Sequence, residues 1–328
     1  HRPVPAADGH PGRRMTRIML FHRDFHGYSG GHGKLWDYFR HVDAHPDWRA
    51  HLHLTAGSTH EDNPWLDAGV VPQPEWRPHA ADALFLAGVD WQAYPQDAPE
   101  RPVINLIQGV RHADPDLLLR DFLARPAIRI CVGQPVADAI AATGKVRGPV
   151  FVIDSGIDVA AGIPLAQRSR DVFIAAQKQP ALGERIADAL RAAGIEADCE
   201  TAWLQRVEFL SRMRDARIAI ALPLPREGFY LPGLEAMAAG CALVMPDAIG
   251  NRAYAVPGRN ASMPAMTAEA IAGAALGLLR DPPALQALAN AGIATAARHG
   301  IAQERAALYR ILDNLDPLWA RALAATSH

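Results

Sequence analysis

Arg226-Glu227-Gly228-Phe229-Tyr230-Leu231-Pro232-Gly233-Leu234-Glu235-Ala236-Met237-Ala238-Ala239-Gly240 joins an acidic loop to a short helix that carries a second carboxylate. Pro232 suits the first turn of a helix, where its missing N–H would lack a partner anyway, and Gly240 suits the residue just past the end. The spacing predicts a helix over 232–239. At its start, the free backbone donors of Phe229, Tyr230 and Leu231 and the positive end of the helix dipole make a site for a phosphate or diphosphate. Glu227 lies before the helix and Glu235 about one turn into it, so both border that site, where carboxylates accept hydrogen bonds from sugar hydroxyls. Taken alone, the same residues also read as a loop charge and a favourable first-turn acid.

Outward from this stretch the chain alternates strands and helices. Downstream of residue 170 the pattern predicts a strand at 172–175, helices at 182–193 and 203–214, a strand at 218–222, the quoted segment, and a strand at 242–245. Helices at 267–279, 283–299 and 301–315 follow, and a last one at 317–325 capped by Asp316 and anchored by Trp319. Upstream, a strand at 17–21 leads through a glycine-rich loop into a helix at 34–43, with further apolar runs at 51–55, 83–87, 103–107 and 128–132 and a helix at 116–123. Such alternation argues for parallel sheets covered on both faces. Gly148-Pro149 marks a domain boundary. The fold class is therefore α/β, with two doubly wound, Rossmann-like domains facing a central cleft at the carboxyl ends of both sheets, where such folds bind ligands.

The whole-chain numbers agree. A length of 328 residues exceeds what one hydrophobic core usually serves. A net charge of -2 and a pI near 6.7 supply no broad basic field, which argues against nucleic acid as a partner. Cys131, Cys199 and Cys241 stand far apart, without the spacing of a zinc site or a disulfide framework. No apolar run reaches membrane-spanning length, and a cytoplasmic enzyme is expected, with any membrane contact local and peripheral, at the inner face. Residues 1–14, rich in Pro, Gly, His and Arg, read as a loose extension or tag remnant outside the fold. High alanine and arginine content fits a GC-rich bacterial genome.

The quoted segment resembles the signature of retaining nucleotide-sugar glycosyltransferases of the GT-B fold, family four: two glutamates with seven residues between them in a frame of the type E-G-F-G-L-P-x-L-E-A-M-A-x-G. Tyr230 departs from it, standing where a small residue is usual. The resemblance implies that Glu227 sits by the donor sugar and Glu235 holds the nucleotide ribose, with Gly228 and the amides after it at the diphosphate. It divides the chain into an acceptor-side domain at 15–149, a donor-binding domain at 150–314, and a terminal helix at 315–328 that packs back on the first domain. The strand ending Asp154-Ser155-Gly156-Ile157-Asp158 is similar to the family's crossover strand.

Other residues fall at the same sheet edges. In the loop Gly27-Tyr28-Ser29-Gly30-Gly31-His32-Gly33, the pair Gly30-Gly31 matches a family loop that touches donor phosphate or acceptor, whereas the glycine spacing is not that of a dinucleotide fingerprint. Lys178 follows the strand at 172–175, where its ammonium would offset charge on a leaving diphosphate. The family carries an arginine five residues before that lysine, and Phe173 occupies the position. A family histidine that contacts the donor sugar corresponds most nearly to Gln108, with His112 four residues on. His22, Asp24, His26, Gln108 and Arg111 are candidates for the acceptor side, and Asn251 and Arg252 for a further donor contact. Asp114-Pro115-Asp116 mimics a metal-binding D-x-D but reads better as a helix cap, and no essential metal is expected.

The resemblance implies a transferase that moves a sugar from a UDP-, GDP- or dTDP-sugar to a hydroxyl of a carbohydrate or lipid-linked acceptor, with no other cofactor and with retention of configuration, in bacterial polysaccharide or glycoconjugate synthesis. The alternatives are a GT-B nucleotide-sugar epimerase or phosphorylase, and a non-catalytic nucleotide-sugar-binding protein, the last prompted by Phe173.

Overall fold

A computed structural model of the chain describes residues 16–94 and 101–325; the extension expected at 1–14 lies outside the described residues. The first half forms β1 (Arg17–Arg23), α1 (Gly30–Asp43), β2 (Trp48–Leu54), a single helical turn α2 (Pro64–Asp67), β3 (Ala83–Ala87), β4 (Val103–Ile107), β5 (Ile128–Cys131), α3 (Gln134–Ala141) and β6 (Val150–Val152). Its six strands are all parallel, in the order β2-β1-β3-β4-β5-β6. Strands β3, β4 and β5 are buried along their whole length, as a parallel sheet covered on both faces requires.

The second half forms β7 (Arg170–Ala175), α4 (Pro180–Ala192), β8 (Ala197–Glu200), α5 (Arg206–Arg214), β9 (Ala216–Ala221), α6 (Leu231–Ala238) and β10 (Ala242–Val244). Helices α7 (Ala268–Arg280), α8 (Pro282–Ala296), α9 (Ile301–Leu312) and α10 (Leu315–Ala324) follow. Its sheet is parallel as well, in the order β10-β9-β7-β8. Alternation along β7 divides the core: Val172 and Ile174 pack in the cluster that includes α4 and α7, whereas Phe173 and Ala175 join the cluster that continues into the first half.

Several expected boundaries move for identifiable reasons. The strand at 150–152 pairs with β5, so the chain leaves the first sheet after Val152 and not at Pro149. Gly148 marks the turn into that strand: its φ is +107° and a Cβ there would stand 2.2 Å from the Ala127 carbonyl oxygen. The helix expected at 116–123 is a 3-10 segment, Leu118–Ala124. The buried Arg129 guanidinium takes the carbonyls of Phe122, Leu123 and Arg125, at 3.1, 2.9 and 2.7 Å, that a continuing α-helix would use. Asp114 caps no helix; its carboxylate accepts from the Asp116 amide and from Arg226, at 3.1 and 2.9 Å. Asp316 lies inside α10 rather than at its cap and pairs with Arg17 at 2.8 Å. With Arg147 donating to the Leu323 carbonyl and Trp319 buried, that bond ties α10 to the first half of the chain.

The two halves are joined by a buried polar knot. Glu304 on α9 is fully buried and accepts from Lys34 on α1 at 2.8 Å, from His41 on α1 at 3.0 Å and from the Gly156 amide of the crossover at 2.6 Å. Lys34 donates in turn to the Gly156 carbonyl at 2.8 Å.

Candidate active site

The carboxyl ends of both sheets meet at a cleft of about 570 Å³. The β9–α6 connection contributes the motif. Pro232 stands in the first turn of α6, and Tyr230 is the residue before its start. Among the described residues, the amides of Phe229 and Tyr230 donate to no protein acceptor, which leaves donors at the helix start as the sequence predicts. The Tyr230 carbonyl accepts from the Tyr254 hydroxyl at 2.6 Å, which pins the turn from behind.

Gly228 packs this loop against the other half. A Cβ there would stand 1.9 Å from the Gln108 carbonyl oxygen and 2.5 Å from the Gly109 Cα, so no larger residue fits without opening the cleft. Beside it, Arg226 reaches across to Asp114 at 2.9 Å.

Each motif glutamate is held by a cation. Lys178, in the loop after β7, donates to Glu227 Oε1 at 2.5 Å; the Leu224 amide donates to the same oxygen at 3.3 Å. The Lys178 ammonium also lies 5.3 Å from the centre of the Tyr230 ring, so the tyrosine forms an aromatic seat for the lysine. Burial pushes the Tyr230 phenol well up, and the phenol stays protonated at neutral pH. Arg206, the first residue of α5, donates to Glu235 Oε1 at 2.5 Å. Burial alone would lower the pKa of this guanidinium, but the charge and hydrogen bond of Glu235 outweigh it and hold it raised.

The cleft brings together Glu227, Glu235, Lys178, Gly228, Phe229, Tyr230, Leu231, Gly30, Gly31, Gln108, Arg111 and His112. Gly30 and Gly31 are not in a loop, as the sequence suggests, but in the first turn of α1, whose start is capped by Ser29 accepting from the His32 amide at 3.2 Å. The Gly31 carbonyl accepts from Gln108 Nε2 at 3.2 Å, which fixes the amide side chain across the cleft. His112 is buried, and burial drives its pKa down to about 3, so it presents a neutral imidazole.

Other candidates lie elsewhere. His22 is buried beside His53 and Trp76, its ring 4.7 Å from the tryptophan's, and burial lowers it to about 4. Asp24 takes the Thr55 hydroxyl and, at 2.9 Å, His26 Nε2; these bonds, the Thr55 one foremost, hold its carboxyl below the usual range. His22, Asp24 and His26 form a knot at the end of β1 and do not line the cleft. Asn251 is fully buried, and Arg252 forms a pair with Asp247 at 2.6 Å and lines a separate hollow with Arg259 and Arg298.

Several cleft residues escape sequence reading, among them Tyr28, Lys34, Trp203 and Arg206. The last two follow β8, a four-residue edge strand, Ala-Asp-Cys-Glu, only partly covered and too short and polar to stand out as an apolar run. With the strand unseen, the loop after it is not recognised as a cleft loop, and a helix predicted from Trp203 absorbs it. Among the described residues no group of three or more His, Cys, Asp or Glu is arranged to hold a metal ion, and no helix is long and apolar enough to cross a membrane.

No family model matches the chain, and no curated protein matches it. Solved structures do. The chain is similar to HepE of Anabaena in complex with UDP and glucose, with a TM-score of 0.70 at 16% identity over 91% of this chain and 100% of that one. It is similar to sucrose-phosphate synthase of Thermosynechococcus elongatus, with a TM-score of 0.66 at 11% identity over 90% and 99%. A UDP-N-acetylglucosamine 2-epimerase aligns with a TM-score of 0.60 at 11% identity over 90% and 96%. The chain therefore has the two-lobed GT-B architecture of these proteins along nearly its whole length.

Proposed function

We propose that the protein is a glycosyltransferase that moves a sugar from a nucleotide-sugar donor, a UDP-, GDP- or dTDP-sugar, to an acceptor hydroxyl. The observation that carries this reading is the arrangement at one helix start of unpaired amides and two carboxylates, each matched by a cation, in a cleft between two parallel sheets. The structural likeness to HepE, which binds UDP-glucose, supports it. In this reading Glu235 holds the ribose, the amides of Phe229 and Tyr230 and the Lys178 ammonium face the diphosphate, and Glu227 faces the donor sugar.

The reaction we infer is a front-side displacement without a metal. The acceptor oxygen bonds to the anomeric carbon on the face from which the diphosphate departs; the bond to the diphosphate oxygen breaks, and that oxygen takes the acceptor proton. Configuration is retained and no protein nucleophile is needed. Lys178 and the motif amides stabilise the charge that grows on the leaving oxygen. Gln108 and Arg111 line the opposite wall, on the acceptor side, for a carbohydrate or lipid-linked acceptor, and neutral His112 beside them is the catalytic candidate that would face the donor sugar. A cytoplasmic place in bacterial glycoconjugate synthesis, at the inner membrane face for a lipid-linked acceptor, completes the proposal.

A thermal-shift screen against UDP-, GDP- and dTDP-sugars tests it, since a ligand that binds only the folded state raises stability by about 2.7 kcal/mol at a hundred times its Kd. Glu235→Ala is expected to weaken nucleotide binding, and Glu227→Ala to lower turnover more than nucleotide affinity. Unchanged kinetics in both variants would sink the assignment. The likeness to an epimerase favours one rival reading. Release of free nucleotide only when an acceptor is added separates transfer from epimerisation.

A further inference from the structure

The strand position that the family resemblance reserves for an arginine is closed in this chain. Phe173 is fully buried in β7, its ring edge-on to Phe209 at 5.5 Å, so an apolar ring fills the place where a cation would stand. Yet a second cation is present, delivered by a different element. Arg206 enters from the start of α5, keeps 40% of its side chain exposed to the cleft, and holds a carboxylate that is itself only 1% exposed.

The two ion pairs in the cleft are not equivalent. Glu227 keeps the Leu224 amide as a donor if Lys178 leaves. Among the described residues the Glu235 carboxylate has no hydrogen-bond donor except Arg206. A buried carboxylate stripped of its only donor is costly, so Arg206 leaves Glu235 only as other donors arrive. A ribose supplies two, as vicinal hydroxyls. Released, the guanidinium finds a diphosphate well matched to its planar fork.

We propose that Arg206 is the second diphosphate-binding cation of this protein, and that donor binding is an exchange: the ribose hydroxyls displace Arg206 from Glu235, and Arg206 turns to the phosphates. Ribose and diphosphate then bind cooperatively, because each half of the ligand takes one partner of a pre-existing pair. The ligand-free pair also keeps either charge from standing unpaired in the cleft. This rests on the glycosyl-transfer reading above for the placement of ribose at Glu235.

The test compares ligand fragments on the intact chain: UDP, GDP and dTDP by calorimetry, and the matching nucleoside and inorganic pyrophosphate by ligand-observed NMR, which reads millimolar affinities. Arg206→Gln is expected to weaken the nucleoside diphosphate at least tenfold while leaving the bare nucleoside unchanged or tighter, since its hydroxyls no longer compete for Glu235. Arg206→Lys, which keeps the charge, loses less. Glu235→Gln acts in reverse, weakening the nucleoside and tightening pyrophosphate because the arginine is freed. If Arg206→Gln weakens nucleoside and diphosphate equally, Arg206 only orients Glu235 and the exchange is wrong; if it changes neither, the assignment of Arg206 falls. A wild-type protein that binds none of the three diphosphates overturns the glycosyl-transfer reading itself, and this inference with it.

Discussion

Removing Lys34 tests whether the buried knot at Glu304 holds the two halves in register. The Glu304 carboxylate is fully buried; among the described residues Lys34 is the one lysine or arginine paired with it, at 2.8 Å, with His41 and the Gly156 amide completing the shell. Breaking a buried pair by deleting one partner costs about 3–5 kcal/mol, because a charge is left uncompensated in a low-dielectric interior. At about 2–4 °C per kcal/mol for a chain of this order of size, Lys34→Met is expected to lower Tm by about 10 °C. Lys34→Met combined with Glu304→Leu removes both charges and is expected to recover part of the loss, short of about 2 kcal/mol for the orphaned Gly156 amide and carbonyl. Differential scanning fluorimetry and urea midpoints on the four proteins complete the cycle. A double variant as unstable as the sum of the singles would refute the reasoning, since it would mean that the knot contributes through packing and not through charge compensation.

Three further outcomes follow from the cleft and its surroundings. Gly228→Ala places a methyl group 1.9 Å from the Gln108 carbonyl oxygen, so the motif loop and the opposite wall must part; a folded protein with its donor-dependent turnover largely lost is expected, and full activity would contradict the close approach. Lys178→Met removes the cation that the proposed reading sets against the leaving group and is expected to cut kcat by about a hundredfold or more, which a steady-state assay with saturating donor reads. Stability should also fall in acid. His112 and His22 stay neutral in the folded protein down to about 3 and about 4, but take up a proton near 6.5 when unfolded. The unfolded chain therefore binds more protons below about pH 6.5, and each histidine withdraws about 1.4 kcal/mol of stability per pH unit from there down to its folded pKa. Asp90, pushed up to about 7 by burial, acts in the opposite sense between about 4 and 7, where its ionisation costs the folded state. His112→Leu should flatten the fall in urea midpoint between pH 6 and 4; an unaltered slope would mean that the histidine does not titrate as a buried group.

What the sequence discloses depends on whether a physical constraint leaves a pattern in it. Apolar runs such as Ala83–Ala87, and Val103–Ile107 with its one buried Asn105, are strands at the predicted residues, because a parallel strand buried on both faces admits little else. The Pro232 and Gly240 punctuation places α6 to within a residue. Edge strand β8 has no such constraint, and losing it hides Arg206. The Gly30-Gly31 pair looks like a loop by composition, yet Ser29 caps a helix there, and tertiary contact with Gln108 and Leu231 outweighs the low helix propensity of glycine. Lys34 is illegible for another reason: its partner lies 270 positions away, and nothing local marks a lysine destined for burial.

Charge explains why this cleft suits a phosphorylated ligand in a protein that is acidic overall. Five basic side chains line it, Lys34, Arg111, Lys178, Arg206 and Arg226, against Glu227 and Glu235, although the chain as a whole carries a net charge of -2. Lys34 is committed to Glu304 and Arg226 to Asp114, so neither is available to a ligand without breaking the contacts that join the two halves. Lys178 and Arg206 are held by carboxylates that can also accept hydrogen bonds from hydroxyl groups. A ligand carrying only phosphate would have to strip both cations from Glu227 and Glu235, leaving Glu227 with the Leu224 amide alone and Glu235 without its donor. One carrying only sugar would leave two cations unpaired. On the proposed reading a nucleotide-sugar would satisfy all four groups at once, and that joint requirement would favour it over either of its parts.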